Sequence, residues 1–201
     1  MTKAKNVIIV IAEGQSEIAY LSELNRFLRE EEIGWVFYPV KAVNGQYREV
    51  RKTYNQVWKK NRKARIEILV DRDIYIREPG ERDDYRQRKN DGLPYFRFSY
   101  MNFEDFLIMH LGHERAKRWC SIASEYGHNV IPLAAKEYIA LMHSSRVWGR
   151  TRYRKGAMPF EIDYPRLRNL IRNDSDRSLF IHSDFTDVII EVIPSLGLKQ
   201  D

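Results

Sequence analysis

Apolar and polar positions along this chain change period several times, and each change predicts an element. Residues 7–12 form an unbroken apolar run. A run of that length, closed by a turn signal, predicts a strand buried on both faces of a parallel sheet. The signal comes at once, in Glu13-Gly14-Gln15-Ser16-Glu17. Ile18, Leu21, Leu24, Phe27 and Leu28 then recur at helical spacing. Residues 35–40 predict a second strand, whose Pro39 suits an edge or a strand end. Asn44-Gly45 signals a turn, and Tyr47, Val50, Tyr54, Val57 and Trp58 fit one face of a second helix. Residues 66–70 predict a third strand, ending in Asp71-Arg72-Asp73.

The highly charged stretch 77–90, with Pro79-Gly80 inside it, predicts a surface loop. Residues 95–99 predict a fourth strand. Phe103, Phe106, Leu107, Met109, His110 and Leu111 then open another helix, with Glu104 and Asp105 in its first turn. Segments 114–126, 132–144, 164–172 and 185–193 carry helical periodicity. Successive βα units without a hairpin signal imply a parallel sheet. The predicted class is therefore α/β: a parallel sheet of about four strands flanked by helices. It would occupy residues 1–112, with a helical part over 113–201 packed on it as one continuous domain.

Ligand crevices in such sheets lie at the carboxyl ends of the strands. Glu13 and the Asp71/Asp73 pair should therefore converge there, far apart as they are in sequence. In an extended segment residues i and i+2 point the same way, so Asp71 and Asp73 can present both carboxylates to one point. Two such groups repel unless a cation or proton lies between them, and hard oxygen ligands suit Mg²⁺ or Mn²⁺. The plainer alternative is that Arg72 and its neighbours form salt bridges with the pair. Glu17 and Glu104 have two readings each, as further ligands or as acids favouring a helix N-terminus. His110 reads as packed rather than catalytic.

The net charge of +6 and pI near 9.3 point to an anionic partner, and the distribution of charge adds to this. Arg48, Arg51, Lys52, Lys59, Lys60, Arg62, Lys63 and Arg65 form one basic cluster, read here as a solvated helix face. Arg146, Arg150, Arg152, Arg154 and Lys155 form another, interleaved with Trp148 and Tyr153, and suit phosphate contact with base stacking. Cys120 is the one cysteine, so no intramolecular disulfide forms. No apolar run approaches the roughly 20 residues that span a bilayer, and residues 1–5 lack the pattern of a signal peptide. A soluble, cytoplasmic protein is the expectation, with no membrane partner. There is no G-x-x-x-x-G-K-[ST], no G-x-G-x-x-G and no His/Cys zinc spacing.

Glu13-Gly14-x-Ser16-Glu17 after one apolar strand, with Asp71-x-Asp73 after a later one, resembles the Toprim domain. The variant is that of the overcoming-lysogenization-defect nucleases and the RloB family. Ser99-x-x-x-Phe103-Glu104-x-Phe106 is similar to the RloB block Ser-Asn-Pro-x-Phe-Glu-x-Trp, with Tyr100-Met101 in place of Asn-Pro and Phe106 in place of Trp. The segment Ser183-Asp184-Phe185-Thr186-Asp187-Val188 resembles the family's Thr-Asn-Val segment near its C-terminus.

The resemblance implies a Toprim-like, Rossmannoid sheet and Mg²⁺- or Mn²⁺-dependent phosphodiester hydrolysis of DNA or RNA. By it, Glu13 acts as general acid/base or metal ligand, and Asp71 and Asp73 hold the metal. Glu17 and Glu104 support them. It also implies a place in phage defence or restriction, beside a separate ATPase. Two other readings compete. A phosphatase of the haloacid-dehalogenase type also uses D-x-D, but after its first strand, where Thr or Val follows; here Ile74 follows. The second is a nucleic-acid-binding module of the same scaffold that does not cut.

Overall fold

The computed structural model describes residues 6–72, 80, 96–99, 102–126, 133–143 and 154–197. They form two compact units, Met1–Phe98 and Ser99–Asp201.

The first unit is built on β1 (Asn6–Ala12), α1 (Gln15–Glu30), β2 (Trp35–Lys41), α2 (Tyr47–Lys60), β3 (Arg65–Asp71) and β4 (Phe96–Ser99). They give the expected α/β architecture, a four-stranded parallel sheet flanked by helices, in the order β2-β1-β3-β4. β1 lies inside the sheet, in parallel register with β2 (Ile8 opposite Phe37) and with β3 (Val10 opposite Glu67). That place accounts for its unbroken apolar run. Ile9 and Ile11 join Ile66, Ile68 and Val70 in a cluster closed by Tyr47 and Val50 of α2. Ile8, Val10 and Ala12 point to the opposite face by strand alternation, and they are fully buried. Tyr20, Leu21, Leu24, Phe27 and Leu28 form the buried side of α1, which packs on β2 and β1. Each fully buried Ile or Leu contributes about 1.5–3 kcal/mol of transfer free energy, so β1 is the main hydrophobic anchor of this unit.

β2 is the edge strand that Pro39 suggested. Its outward backbone is partly satisfied from α1: Asn25 Nδ2 donates to the Phe37 carbonyl (2.7 Å), and the Phe37 N–H donates to Asn25 Oδ1 (2.8 Å). One side-chain amide thus does for the edge what a neighbouring strand would do.

The second unit comprises α3 (Phe103–Ile108), α4 (His113–Tyr126), α5 (Ala135–Met142), α6 (Tyr164–Ser175), α7 (Phe185–Val192) and a 3-10 turn, Pro194–Leu196. All six residues of α3 are buried. Its rings stack inward: Phe106 meets Phe103 at 5.2 Å and Phe185 of α7 at 6.3 Å between centroids. The carbonyls after α3 are closed by α6, whose Asn173 Nδ2 donates to Met109 O (2.8 Å) and Leu111 O (2.9 Å). Phe185, Val188, Ile189 and Val192 bury the apolar face of α7.

The expected boundary at residue 112 falls instead at Phe98/Ser99. The reason lies in α3, assigned from sequence to the sheet domain. Its buried faces and the carbonyls that follow it are satisfied by α4, α6 and α7, so it belongs to the helical unit. The expected loop over 77–90 lies outside the described residues except for Gly80, which is exposed. Among the described residues no helix is long and apolar enough to cross a membrane.

Candidate active site

β1 and β3 are parallel neighbours, so their carboxyl ends emerge side by side. Glu13 is the first residue past β1 and Asp71 is the last of β3; both are half-buried. The Asp71 backbone N–H donates to Glu13 Oε2 over 3.4 Å, a long bond that ties the two strand ends together across 58 positions of sequence. The convergence expected for Glu13 and Asp71 is therefore present. Asp73 lies outside the described residues.

A third strand exit lines this edge. The ladder between β1 and β2 runs one step further, with the Ala42 N–H donating to Ala12 O (2.9 Å). The chain then turns through Asn44-Gly45. Asn44 Oδ1 accepts from the Gln46 N–H at 3.0 Å, which shapes the turn. The Glu49 and Val50 N–H groups donate to Gln46 O and start α2. The turn brings Gly45 directly under Glu13. A Cβ on Gly45 would overlap the Glu13 carboxylate, with Oε1 only 2.6 Å away. Gly45 is required here for close approach, and its φ lies outside the left-handed range. In the sequence Asn44-Gly45 marks only a turn, and the residue that the glycine faces comes from another strand end.

Glu17 is buried at the start of α1, and its carboxylate folds back on Gly14, the residue at the helix N-cap. A Cβ there would lie 2.9 Å from Glu17 Oε2. This is where an acid meets the positive end of the helix dipole. Glu104 is buried in α3 of the second unit. The acid that caps α3 is its neighbour: Asp105 Oδ2 accepts from the Asn102 N–H at 3.1 Å, and Asp105 Oδ1 accepts from Trp119 Nε1 at 2.6 Å. Burial pushes the Asp105 carboxyl up to about 7, against the opposing pull of these two donors. His110 is packed, as expected. Its Nδ1 faces the Phe106 carbonyl at 3.0 Å, which can only accept, so Nδ1 carries the proton. Burial lowers this imidazole to about 3.

A further acid escaped notice in the sequence. Glu67, in the middle of β3, is 1% exposed and is clamped by Arg65 Nε (2.7 Å) and Arg97 Nε (2.8 Å). The spacing Arg65-x-Glu67 on one strand face was the available signal. Of the basic residues expected to meet nucleic acid, Arg154 and Lys155 are exposed. Arg146, Arg150 and Arg152 lie outside the described residues, as do Trp148 and Tyr153.

Among the described residues no group of three or more His, Cys, Asp or Glu is placed to hold a metal ion. The described part of the edge offers two carboxylates, Glu13 and Asp71. They are oxygen donors of the kind a hard divalent cation takes, and Asp73 is the next acid in the chain. No family model, curated protein or solved structure matches the chain.

Proposed function

We propose that the chain is a metal-dependent nuclease that hydrolyses phosphodiester bonds of DNA or RNA, of the Toprim type that its acidic motifs resemble. The observation that carries this reading is the meeting of Glu13 and Asp71 at the carboxyl ends of adjacent parallel strands. Two carboxylates gathered at one edge repel unless a cation or proton lies between them. Glu13, Asp71 and Asp73 would hold Mg²⁺ or Mn²⁺. The ion would supply charge neutralisation at the phosphate and an activated water.

The chain's own residues do the rest. Glu13, fixed by the Asp71 N–H and seated on Gly45, is positioned to take or deliver a proton at the reacting oxygen. Glu17 holds the start of α1 just behind it. Glu104 stays a supporting candidate by resemblance alone. Basic side chains, Arg154 and Lys155 among them, would grip the backbone. A role in phage defence or restriction, with a separate ATPase supplying the nucleotide hydrolysis for which this sequence has no P-loop, belongs to the same proposal.

The test is cleavage of single- and double-stranded DNA and RNA with Mg²⁺, with Mn²⁺ and with chelator, on the wild type, Glu13→Gln and Asp73→Asn. Metal-dependent cutting is expected in the wild type. Both variants should lose it while keeping their nucleic-acid binding and melting temperature. Cutting at full rate by Glu13→Gln would remove the site. Binding without cutting by the wild type would leave the chain as a nucleic-acid-binding module.

A further inference from the structure

α2 begins two residues after Gly45, beside the acidic edge, and runs 14 residues away from it. Its buried side is set by Tyr47 and Val50, with Tyr54 and Val57 half-buried in line. At 100° per residue, Arg48, Arg51, Lys52, Asn55 and Lys59 fall together in one sector about 100° wide, beside the buried side. All five are exposed. Lys52 has a loose partner in Glu49 at 3.8 Å. Among the described residues Arg48, Arg51 and Lys59 have no acidic partner. A cleft of about 550 Å³ follows this face.

A solvated helix normally interleaves the two signs of charge, as α1 does where Arg26 meets Glu23 and Glu30. The outward stripe of α2 carries one sign only.

Resting on the nuclease reading above, we infer that this stripe is the track for the sugar–phosphate backbone of duplex DNA, leading it to the Glu13–Asp71 edge. From Arg48 to Lys59 the stripe is about 16 Å long at 1.5 Å per residue. Duplex DNA presents a phosphate charge roughly every 1.7 Å of axis over such a length. Single strands are gripped by stacking successive bases on a series of open aromatic rings, and the five residues of the stripe include none. Tyr47 is buried; Trp58, beside the stripe, is 43% exposed, and the Arg62 guanidinium lies over its ring, 5.5 Å from the centroid. A rigid duplex holds its phosphates at fixed spacing along a straight line, as this stripe requires. Charge and length therefore fit duplex DNA, with duplex RNA as an outcome of the test.

The experiment titrates a labelled DNA duplex, and in parallel single-stranded DNA and an RNA duplex, with the full chain by fluorescence anisotropy over a series of salt concentrations. It compares the wild type with the triple variant Arg48→Ala, Arg51→Ala, Lys59→Ala. Alanine is the best helix former, so α2 should persist, and circular dichroism checks that it does. Loss of three phosphate contacts should flatten the slope of log affinity against log salt by about 2.7, at about 0.9 per contact. It should also weaken binding at least about tenfold near physiological salt. An unchanged slope overturns the track, as does a wild type that does not bind duplex DNA. A loss confined to single-stranded DNA or to duplex RNA also overturns it. The nuclease reading fails separately, through Glu13→Gln. Cutting lost in that variant with DNA binding intact in the triple variant refutes the track alone. A wild type that never cuts, beside a triple variant that binds poorly, refutes the nuclease alone.

Discussion

In the sheet unit Glu67 is stripped of water and held between two guanidinium groups; in the helical unit Asp105 is stripped of water and held by an indole and a backbone amide. The difference lies in the charge of the partners. Guanidinium groups stabilise a carboxylate that has lost its hydration. Neutral donors return only part of the lost solvation, and the Asp105 carboxyl rises to about 7. Glu13 and Asp71 are a third case. They are half-buried at an edge, where the Glu13 carboxylate is bonded to the Asp71 backbone N–H.

The largest expected effect tests the neutral-donor half of this comparison. Asp105 releases its proton on unfolding above its ordinary 3.8, so it contributes stability that is lost as pH rises from there to about 7. His110 takes up a proton on unfolding below 6.5 because its folded value is about 3, so its contribution is lost as pH falls below 6.5. The two slopes oppose each other between roughly pH 4 and 6.5 and leave that window nearly flat. Asp105→Asn removes one of them. The variant should gain about 3 kcal/mol between pH 4 and 6.5, at 1.36 kcal/mol per pH unit, as read by urea unfolding at the two pH values. A wild type that climbs as steeply as the variant would mean that Asp105 is not held protonated by burial, and a flat variant would mean that His110 is not depressed.

The charged half is tested by Glu67→Gln. Breaking a fully buried ion pair costs about 3–5 kcal/mol. Arg65 and Arg97 remain about a quarter exposed and can turn to water, so about 2 kcal/mol is expected, read as a lower melting temperature. No loss would place Glu67 in the same class as an exposed acid.

The smallest effect on stability, under about 1 kcal/mol, is expected for Gly45→Ala. Its methyl group displaces only a half-buried carboxylate. Metal-dependent cleavage should nevertheless fall as far as in Glu13→Gln, because the seat of Glu13 is lost. Equal cleavage by Gly45→Ala and wild type would show that Glu13 works from another position.

The sheet was legible because its signals are local. A buried parallel strand reads as an apolar run, so β1, β2 and β3 fall within a residue of their expected ends, and Pro39 marked the edge. Glu13 and Asp71 were legible for the same reason, since each follows such a run directly. The other half of the site was hidden by its range. The meeting of Gly45 with Glu13 and of Arg97 with Glu67 depends on which strands become neighbours, and no single stretch encodes that. Likewise α3 has the composition of a core helix, but only the bonds from Trp119 and Asn173 show that it joins the second unit.

Asn25 bears on how this protein avoids itself. An edge strand with free amides and carbonyls invites another chain to add to the sheet, which is how swapped dimers and fibres begin. At Phe37 both outward groups of β2 are already engaged by the Asn25 amide, so an incoming strand must first displace a side chain anchored in α1. The latch exists only once α1 has docked. Chains whose first helix is late to fold would be the ones prone to associate, and crowding or slow synthesis would matter most during that interval.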